Sequence, residues 1–371
     1  MRKFVVALGL IIFVAIMTEN TLAAPAAALG PDPMPTRMSI AWTFAVYAYP
    51  DFETRSLASF GPQYVDIIQH DEGDGWILIN TYLGNVWTNI IRPLDGRIII
   101  LDAGHGLGSD NIFEGYSEQA TMLKLAHLLR PLLEEQGATV FLTRETEANV
   151  TLPERAAKIN LLSLETLRQN RLNDLYIAQE YNRQAIENEI EEIDELIGIM
   201  QRIINDYYKY APTYFNFPFD WSFQRHIHPD LQRIFEFQAD SEIQSTFLMI
   251  SLHSNATRRP INSNINGVDI YRMTNDLINS ANYFADYAST EKTYLFSNIL
   301  LDSIQEVGIS PRGINAGNWF VIREHNLPGV LVENGFHTNP HDRALLSCDY
   351  FIYRLAEAYA DAIMRYFEYI D

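Results

Sequence analysis

The alternation of strand-like and helix-like segments from residue 96 onward constrains this chain most. Residues 97–103 are dense in isoleucine and predict a strand, while residues 117–136 carry apolar side chains at helical spacing. Further strands are predicted at 138–144, 247–254, 267–273, 319–323 and 329–333, and further helices at 285–307 and 342–369. The pattern predicts an α/β domain over residues 96–371: a twisted, mainly parallel sheet flanked by helices, with functional groups at the carboxyl ends of its strands.

The segment 161–245 interrupts this alternation and predicts a helical insertion. Its central apolar residues follow at spacings of four, three, four, three and four, which is typical of a coiled-coil seam: Ile186, Ile190, Ile193, Ile197, Met200 and Ile204. The rest of that helix is strongly acidic. The pattern indicates a helical hairpin, with its turn at 212–221 and closed by residues 230–244, or else a movable lid or a docking site for another protein.

Residues 39–92 predict a separate small β domain. Strand-like runs at 43–49, 64–69, 76–80 and 85–91 are separated by Gly, Asp and Pro. The stretches Gly75-Trp76-Ile77-Leu78-Ile79 and Gly84-Asn85-Val86-Trp87 resemble the bacterial SH3-like domains of exported wall proteins. That resemblance implies a groove that binds wall peptide or glycan. The alternative is that the same residues only form the packed core of a small β-barrel with a buried tryptophan.

The N-terminus has the three-part layout of a secretory signal. Arg2 and Lys3 precede an apolar run over 4–17, and small residues follow at 21–25. This apolar run is shorter than the ~20 residues needed to span a bilayer, and no later segment is apolar for long enough. We therefore predict a signal peptide at 1–23, a linker at 24–38, and an exported protein of the cell envelope, the cell wall or the medium, without a transmembrane segment in the mature chain.

Charge and cysteine content exclude several classes of protein. The chain has 27 basic and 47 acidic side chains and a net charge of −20, so repulsion from phosphates argues against general nucleic-acid binding. Cys348 is the single cysteine, which rules out an intramolecular disulfide and a cysteine-based zinc cluster. Any metal site must therefore use His, Asp or Glu.

Two histidines and two glutamates stand where such a sheet presents functional groups. His105 and His253 end predicted strands, Glu118 opens a predicted helix, and Glu333 ends a buried apolar run. Each also fits a structural role by itself, such as a glutamate at a helix N-terminus. Together, two histidines and one glutamate suit a catalytic zinc with an open fourth position, and the remaining glutamate can move protons. This set favours hydrolysis of an amide.

From residue 97 to about 366, leaving out the insertion, the chain resembles the zinc-dependent N-acetylmuramoyl-L-alanine amidases of bacterial cell separation and sporulation. The matching stretches are Leu101-Asp102-Ala103-Gly104-His105-Gly106, Glu118 before a helix, Val140-Phe141-Leu142-Thr143-Arg144, Leu152-Pro153-Glu154-Arg155, Ser251-Leu252-His253-Ser254-Asn255-Ala256, Gly267-Val268-Asp269-Ile270-Tyr271 and Val330-Leu331-Val332-Glu333-Asn334-Gly335-Phe336. The resemblance implies one Zn²⁺ per chain, held by His105, Glu118 and His253, with Glu333 as the catalytic carboxylate. It also implies peptidoglycan as the substrate, cleaved between N-acetylmuramic acid and the L-alanine of the stem peptide.

The insertion departs from the usual pattern of this family. Some relatives place a regulatory helix in this region, which covers the zinc until an activator removes it, so the resemblance implies autoinhibition and a docking site for a protein activator. Two alternatives stay open from the sequence. One is a zinc peptidase or deacylase that acts on another envelope amide, and the other is a catalytically silent wall-binding protein.

Overall fold

The computed structural model describes residues 37–40, 44–50, 56–61, 63–70, 75–90, 92–108, 112–219, 225–257, 264–277 and 283–370. The predicted signal peptide 1–23, and the linker 24–38 except its last two residues, lie outside this part. Contacts divide the chain into two compact units, residues 1–92 and residues 93–371. Among the described residues, no helix is both long and apolar enough to cross a membrane.

The first unit consists of short antiparallel strands. Four of them form one sheet in the order β1-β4-β5-β6, and β2 pairs with β3. The strands are β1 (Arg37–Ile40), β2 (Phe44–Val46), β3 (Ala58–Phe60), β4 (Gln63–His70), β5 (Trp76–Thr81) and β6 (Gly84–Asn89). Alternate apolar side chains, including Val65, Ile77 and Ile79, form its core. All four predicted strands are present, while the assignment to SH3-like domains stays a prediction.

The second unit is built on a six-stranded sheet in the order β10-β7-β11-β14-β12-β13. All neighbouring strands are parallel except β12 and β14. The predicted α/β fold is therefore confirmed. The strands are β7 (Ile98–Ala103), β10 (Thr139–Leu142), β11 (Phe247–Asn255), β12 (Val268–Arg272), β13 (Pro311–Ala316) and β14 (Gly329–Phe336), with a small hairpin of β8 (Ile112–Phe113) and β9 (Tyr116–Ser117) beside them.

Helices cover both faces of this sheet, because its central strands are apolar on both sides. Leu101, Ile250 and Val332 pack under α1, α7 and α10, whereas Ile100 and Met249 pack under α2, α3 and α5. The helices are α1 (Glu118–Glu135), α2 (Leu152–Ile177), α3 (Glu180–Asn205), α4 (Tyr207–Tyr214), α5 (Pro229–Gln238), α6 (Ser241–Thr246), α7 (Thr290–Glu306), α8 (Phe320–Arg323), α9 (Pro340–Leu346) and α10 (Asp349–Ile370).

Two sequence predictions about this sheet are wrong. The apolar run 319–323 forms the short helix α8 rather than a strand. The strand β13, which was not predicted, has Pro311 and Gly313 and no buried apolar run, because it lies at the edge of the sheet.

The insertion contains a hairpin of two long helices, α2 and α3. Its turn lies at Ala178 and Gln179, not at 212–221, and Pro212 lies within α4. Of the predicted seam, Ile193 and Met200 are buried in the core beside α2 and α5, whereas Ile186 and Ile190 are only partly buried. The buried face of α3 also includes Leu196, Ile199 and Ile203, which the predicted spacing left out. Ion pairs tie the acidic side of α3 to its neighbours: Arg168–Asp194, Arg171–Glu189 and Arg233–Glu192.

Candidate metal centre

His105 lies in the loop that follows β7, between two glycines that the fold requires. A Cβ on Gly104 would lie 2.3 Å from Cε1 of His253, and a Cβ on Gly106 would lie 2.5 Å from the Cα of Asn149. His105 itself has a φ of 59°, in the left-handed region that few non-glycine residues adopt. The loop therefore brings the two imidazoles together, and their ring centroids are 4.9 Å apart.

Glu118 is the first residue of α1 and is buried below the two histidines. Its Oε1 lies 3.2 Å from Nε2 of His105 and 3.1 Å from Nδ1 of His253. The backbone N–H of Ser254 donates a third hydrogen bond to the same oxygen, at 3.0 Å. Burial acts to raise the pKa of Glu118, but the hydrogen bonds from both histidines outweigh it, so the pKa lies well below its ordinary value and the side chain is a carboxylate.

These three side chains form a group that can hold a metal ion. One nitrogen or oxygen from each lies within 4.8 Å of the others. Ligands at ~2.0–2.1 Å from a tetrahedral ion are separated by about 3.3 Å, which is close to the two distances from Oε1 of Glu118 to the imidazoles. The sequence placed these residues correctly at the ends of β7 and β11 and at the start of α1.

Glu333 lies on β14, in register with His253 on one side and with Asp269 on the other. Its Oε2 is buried and has no hydrogen-bond partner among the described residues. Burial, together with the nearby charges of Glu118 and Asp269, raises the pKa of Glu333 well above its ordinary value. Arg312 and Asn315 hold the Asp269 carboxylate, at 2.8 Å and 3.3 Å.

Asp102 supports the loop of His105 rather than its imidazole. Its Oδ1 accepts hydrogen bonds from Arg155 at 2.7 Å and from Thr143, and its Oδ2 accepts one from Ser251 at 2.7 Å. Burial acts to raise the pKa of Asp102, yet these partners lower it to about 2. Arg155 also donates to the carbonyl oxygen of His105.

The sequence analysis missed an imidazole at the same cavity. His337 stacks on Tyr116 with ring centroids 5.3 Å apart, and its Nδ1 lies 3.0 Å from the hydroxyl oxygen of Ser254. Burial lowers the pKa of His337, which favours the neutral ring. The only sequence signal for it was its place four residues after Glu333.

The metal group opens into a cavity of about 700 Å³. Glu333 and His337 line it, together with aromatic residues from the insertion and from the start of α8. Lining residues beyond the metal group include Asn149, Thr151, Tyr207, Tyr208, Phe217, Pro218, Asn255 and Trp319. No residue of α3, the acidic helix, is among the described residues that line it.

Residues 99–167 and 230–365, together more than half of the chain, match the sequence model of the Amidase_3 family, N-acetylmuramoyl-L-alanine amidase. The chain belongs to this family. The resemblance to N-acetylmuramoyl-L-alanine amidases seen in the sequence is thereby confirmed. Residues 168–229, which this match leaves out, fall inside the predicted insertion, and the boundaries 161–245 stay a prediction.

Several characterised or named proteins are similar to parts of this family member. "Probable cell wall amidase LytH" of Staphylococcus saprophyticus is 44% identical over 72 residues, 18% of this chain and 24% of that protein. The germination-specific N-acetylmuramoyl-L-alanine amidase of Bacillus subtilis is 39% identical over 85 residues, 22% of this chain and 35% of that protein. The matches thus span about a quarter and a third of these relatives. This chain is also similar to the structure of an N-acetylmuramoyl-L-alanine amidase from Clostridium difficile 630. The two chains are 16% identical, the TM-score is 0.43, and the aligned region covers 73% of this chain and 97% of the other.

Proposed function

We propose that this protein hydrolyses the amide between N-acetylmuramic acid and the L-alanine of the stem peptide in peptidoglycan, and that it requires zinc. One observation carries the proposal. In a member of this family, His105, Glu118 and His253 converge as a group that can hold a metal ion, and the same cavity, which Glu333 also lines, is large enough for part of a sugar–peptide substrate.

The donor set favours zinc over other common ions. Two imidazole nitrogens and one carboxylate oxygen are the ligands of many catalytic zinc sites, which keep one position open. Ca²⁺ and Mg²⁺ prefer sites made of oxygen ligands alone. When bound, zinc supplies a Lewis acid for the attack of water on an amide carbonyl.

Glu333 is the residue of this chain suited to carry the proton. As a carboxylate it takes a proton from the attacking water, and it then gives that proton to the amine nitrogen when the C–N bond breaks. A raised pKa suits this double role, because the group must hold the proton between accepting it and returning it. Its oxygen without a partner among the described residues is available for this transfer.

Regulation by the insertion and export to the envelope stay proposals. The acidic helix α3 contributes no described residue to the cavity, so a covering segment would have to come from α4 or residues 217–218. A protein activator would dock on the exposed acidic side of α3. The names of the relatives support action at the cell wall, and the predicted signal at 1–23 supports export.

The deciding experiment digests purified peptidoglycan with the unsubstituted protein and with Glu333→Gln. We expect free stem peptides that begin with L-alanine, lost with a chelator and restored by zinc, and at least a hundredfold slower release with Glu333→Gln. Zinc content measured on the purified proteins should be one per chain in both. Glu195→Gln, at an exposed glutamate of α3, is the matched control and should retain full activity.

Each other outcome changes the conclusion in a defined way. Products with cleaved peptide bonds inside the stem would favour a zinc peptidase. Full activity of Glu333→Gln would refute its role as proton carrier. Stoichiometric zinc with no product from any envelope amide would leave a wall-binding protein.

A further inference from the structure

Five tyrosine, phenylalanine and tryptophan side chains line the cavity, and Phe320 among them is buried. We call the other four the aromatic wall: Tyr207, Tyr208, Phe217 and Trp319. Tyr207 and Tyr208 lie side by side at the start of α4, with ring centroids 4.1 Å apart. The ring of Phe217 meets that of Tyr207 edge to face at 6.3 Å. Three of the four come from the insertion, so the part of the chain that the family match leaves out contributes most of this wall.

A buried ion pair holds the wall in place. Arg323 and Glu324, both completely buried, are joined at 2.7 Å between Nε and Oε1. Arg323 donates to the carbonyl oxygens of Asn216 and Phe219, on either side of Phe217–Pro218, at 3.3 Å and 2.7 Å. Glu324 accepts the backbone N–H of Asn216 at 3.4 Å. The segment that carries Phe217 is thus fixed to α8, which makes this part of the wall a preformed surface.

Beyond the metal group, the described residues that line the cavity offer no side chain that would pair with an anion. Arg155 is the only arginine or lysine among the described residues that line the cavity. Its guanidinium is 2% exposed and already donates to Asp102 and to the carbonyl oxygens of Ala103, His105 and Val150. Carboxylates of a stem peptide therefore find no free cation along this part of the cavity.

A neutral sugar ring fits these surroundings. A pyranose presents a face of C–H groups that packs on aromatic rings, and its hydroxyl and acetamido groups need a few polar partners at the rim. Asn149, Thr151 and Asn255 line the same cavity and supply such groups. Tyr208 is 76% exposed, so its ring face is available to a ligand.

We propose that the aromatic wall binds the glycan of peptidoglycan at the sugar that bears the scissile amide, and that the insertion thereby makes the enzyme select glycan-linked stem peptides. This proposal rests on the proposed amidase function. It predicts a specificity that depends on the sugar rather than on the peptide.

The test compares two soluble substrates that share the same amide. One is a disaccharide–tripeptide, and the other is the D-lactoyl-tripeptide, which lacks the sugars. With Tyr208→Ala we expect kcat/KM to fall about three- to tenfold for the first substrate and to stay unchanged for the second, since an aromatic stacking contact is lost. Tyr208→Phe should restore the value. Tyr181→Ala, at a tyrosine of α3 that is 84% exposed and outside the cavity, is the control.

Binding of the peptide-free disaccharide, measured by calorimetry, separates this proposal from the proposed function. We expect binding to the zinc-loaded protein that weakens by the same factor in Tyr208→Ala and Phe217→Ala. Equal losses for both substrates, or no disaccharide binding by an active enzyme, would overturn the aromatic wall as a sugar site. Disaccharide binding without hydrolysis of either substrate would instead refute the amidase.

Discussion

Glu118 and Glu333 are two carboxyl groups at one cavity whose surroundings shift their pKa values in opposite directions. Glu118 accepts hydrogen bonds from two imidazoles and one backbone N–H, which keep it anionic. Glu333 is buried near two other acidic groups, which raises its pKa. Such a division between neighbouring carboxyl groups separates a fixed ligand from a proton carrier.

His325 predicts a pH dependence of stability. His325 lies two residues after the end of α8 and is buried. Its Nδ1 accepts a hydrogen bond from the backbone N–H of Leu327 at 3.1 Å. Burial lowers its pKa to about 4, whereas the ordinary value is 6.5. Between pH 6.5 and 4, the unfolded chain therefore binds a proton at His325 that the folded chain does not bind. The contribution of the neutral His325 to the free energy of unfolding is complete above pH 6.5. It is lost as the pH falls toward 4, which lowers the free energy of unfolding by roughly 3 kcal/mol.

Urea unfolding at pH 7 and at pH 4.5 measures this effect. His325→Asn keeps an acceptor for Leu327 but cannot titrate, so the fall in the free energy of unfolding between the two pH values should be smaller than in the unsubstituted chain. His127→Asn, at an exposed histidine, is the control and should leave that fall as it is. An identical fall in all three proteins would contradict the prediction.

At the scale of residues, the sequence predicted those site residues that stand at the end of a strand pattern or at the start of a helix pattern. His105, His253 and Glu333 follow apolar strand patterns, and Glu118 follows a capping serine at a helix start. His337 and Tyr116 belong to no periodic run, so their contact with Ser254 becomes visible only once β9, β11 and β14 are packed. The role of Asp102 depended on the position of Arg155, which is fifty-three residues away in sequence.

Among the elements, the start of α2 carries a well-formed cap. The Thr151 hydroxyl oxygen accepts the N–H of Glu154, and the Glu154 carboxylate accepts the N–H of Thr151 at 2.8 Å. Thr151→Ala should therefore lower the free energy of unfolding by about 1 kcal/mol. Thermal or urea unfolding checks it, and Thr151→Ser should retain most of the stability. A loss as large with serine as with alanine would show that the hydroxyl is not the source.

Element boundaries were predicted well wherever burial sets a clear period. Helices α1 and α7 and strands β7 and β12 fall within their predicted ranges, because each packs against a long-range partner. Helix α10 and strands β11 and β14 extend one to three residues beyond theirs. The turn of the hairpin was misplaced because Ala178 and Gln179 carry no turn signal, whereas the Pro-containing stretch after α4 does. For 319–323, apolar composition predicted a strand, but a five-residue segment lacks the length to tell strand from helix.

For the whole molecule, the division into two units predicts separable roles. Every residue named at the metal centre and at the aromatic wall lies within 93–371. A chain limited to these residues should therefore bind zinc and cleave the soluble disaccharide–tripeptide at the rate of the full chain. Sedimentation with insoluble peptidoglycan should decrease if residues 39–92 bind the wall. Loss of zinc binding by the shorter chain would contradict the separation.

The strand β14 lies near the centre of the sheet, between β11 and β12, although it follows them both in sequence. During synthesis the sheet therefore keeps a central gap until the residues from Gly329 onward have left the ribosome. Before then, Glu333 is not paired with His253 across the sheet, and the part of the cavity that β14 lines is missing. The order of the strands thus delays the assembly of the metal centre and its cavity until almost all of residues 93–371 have been made.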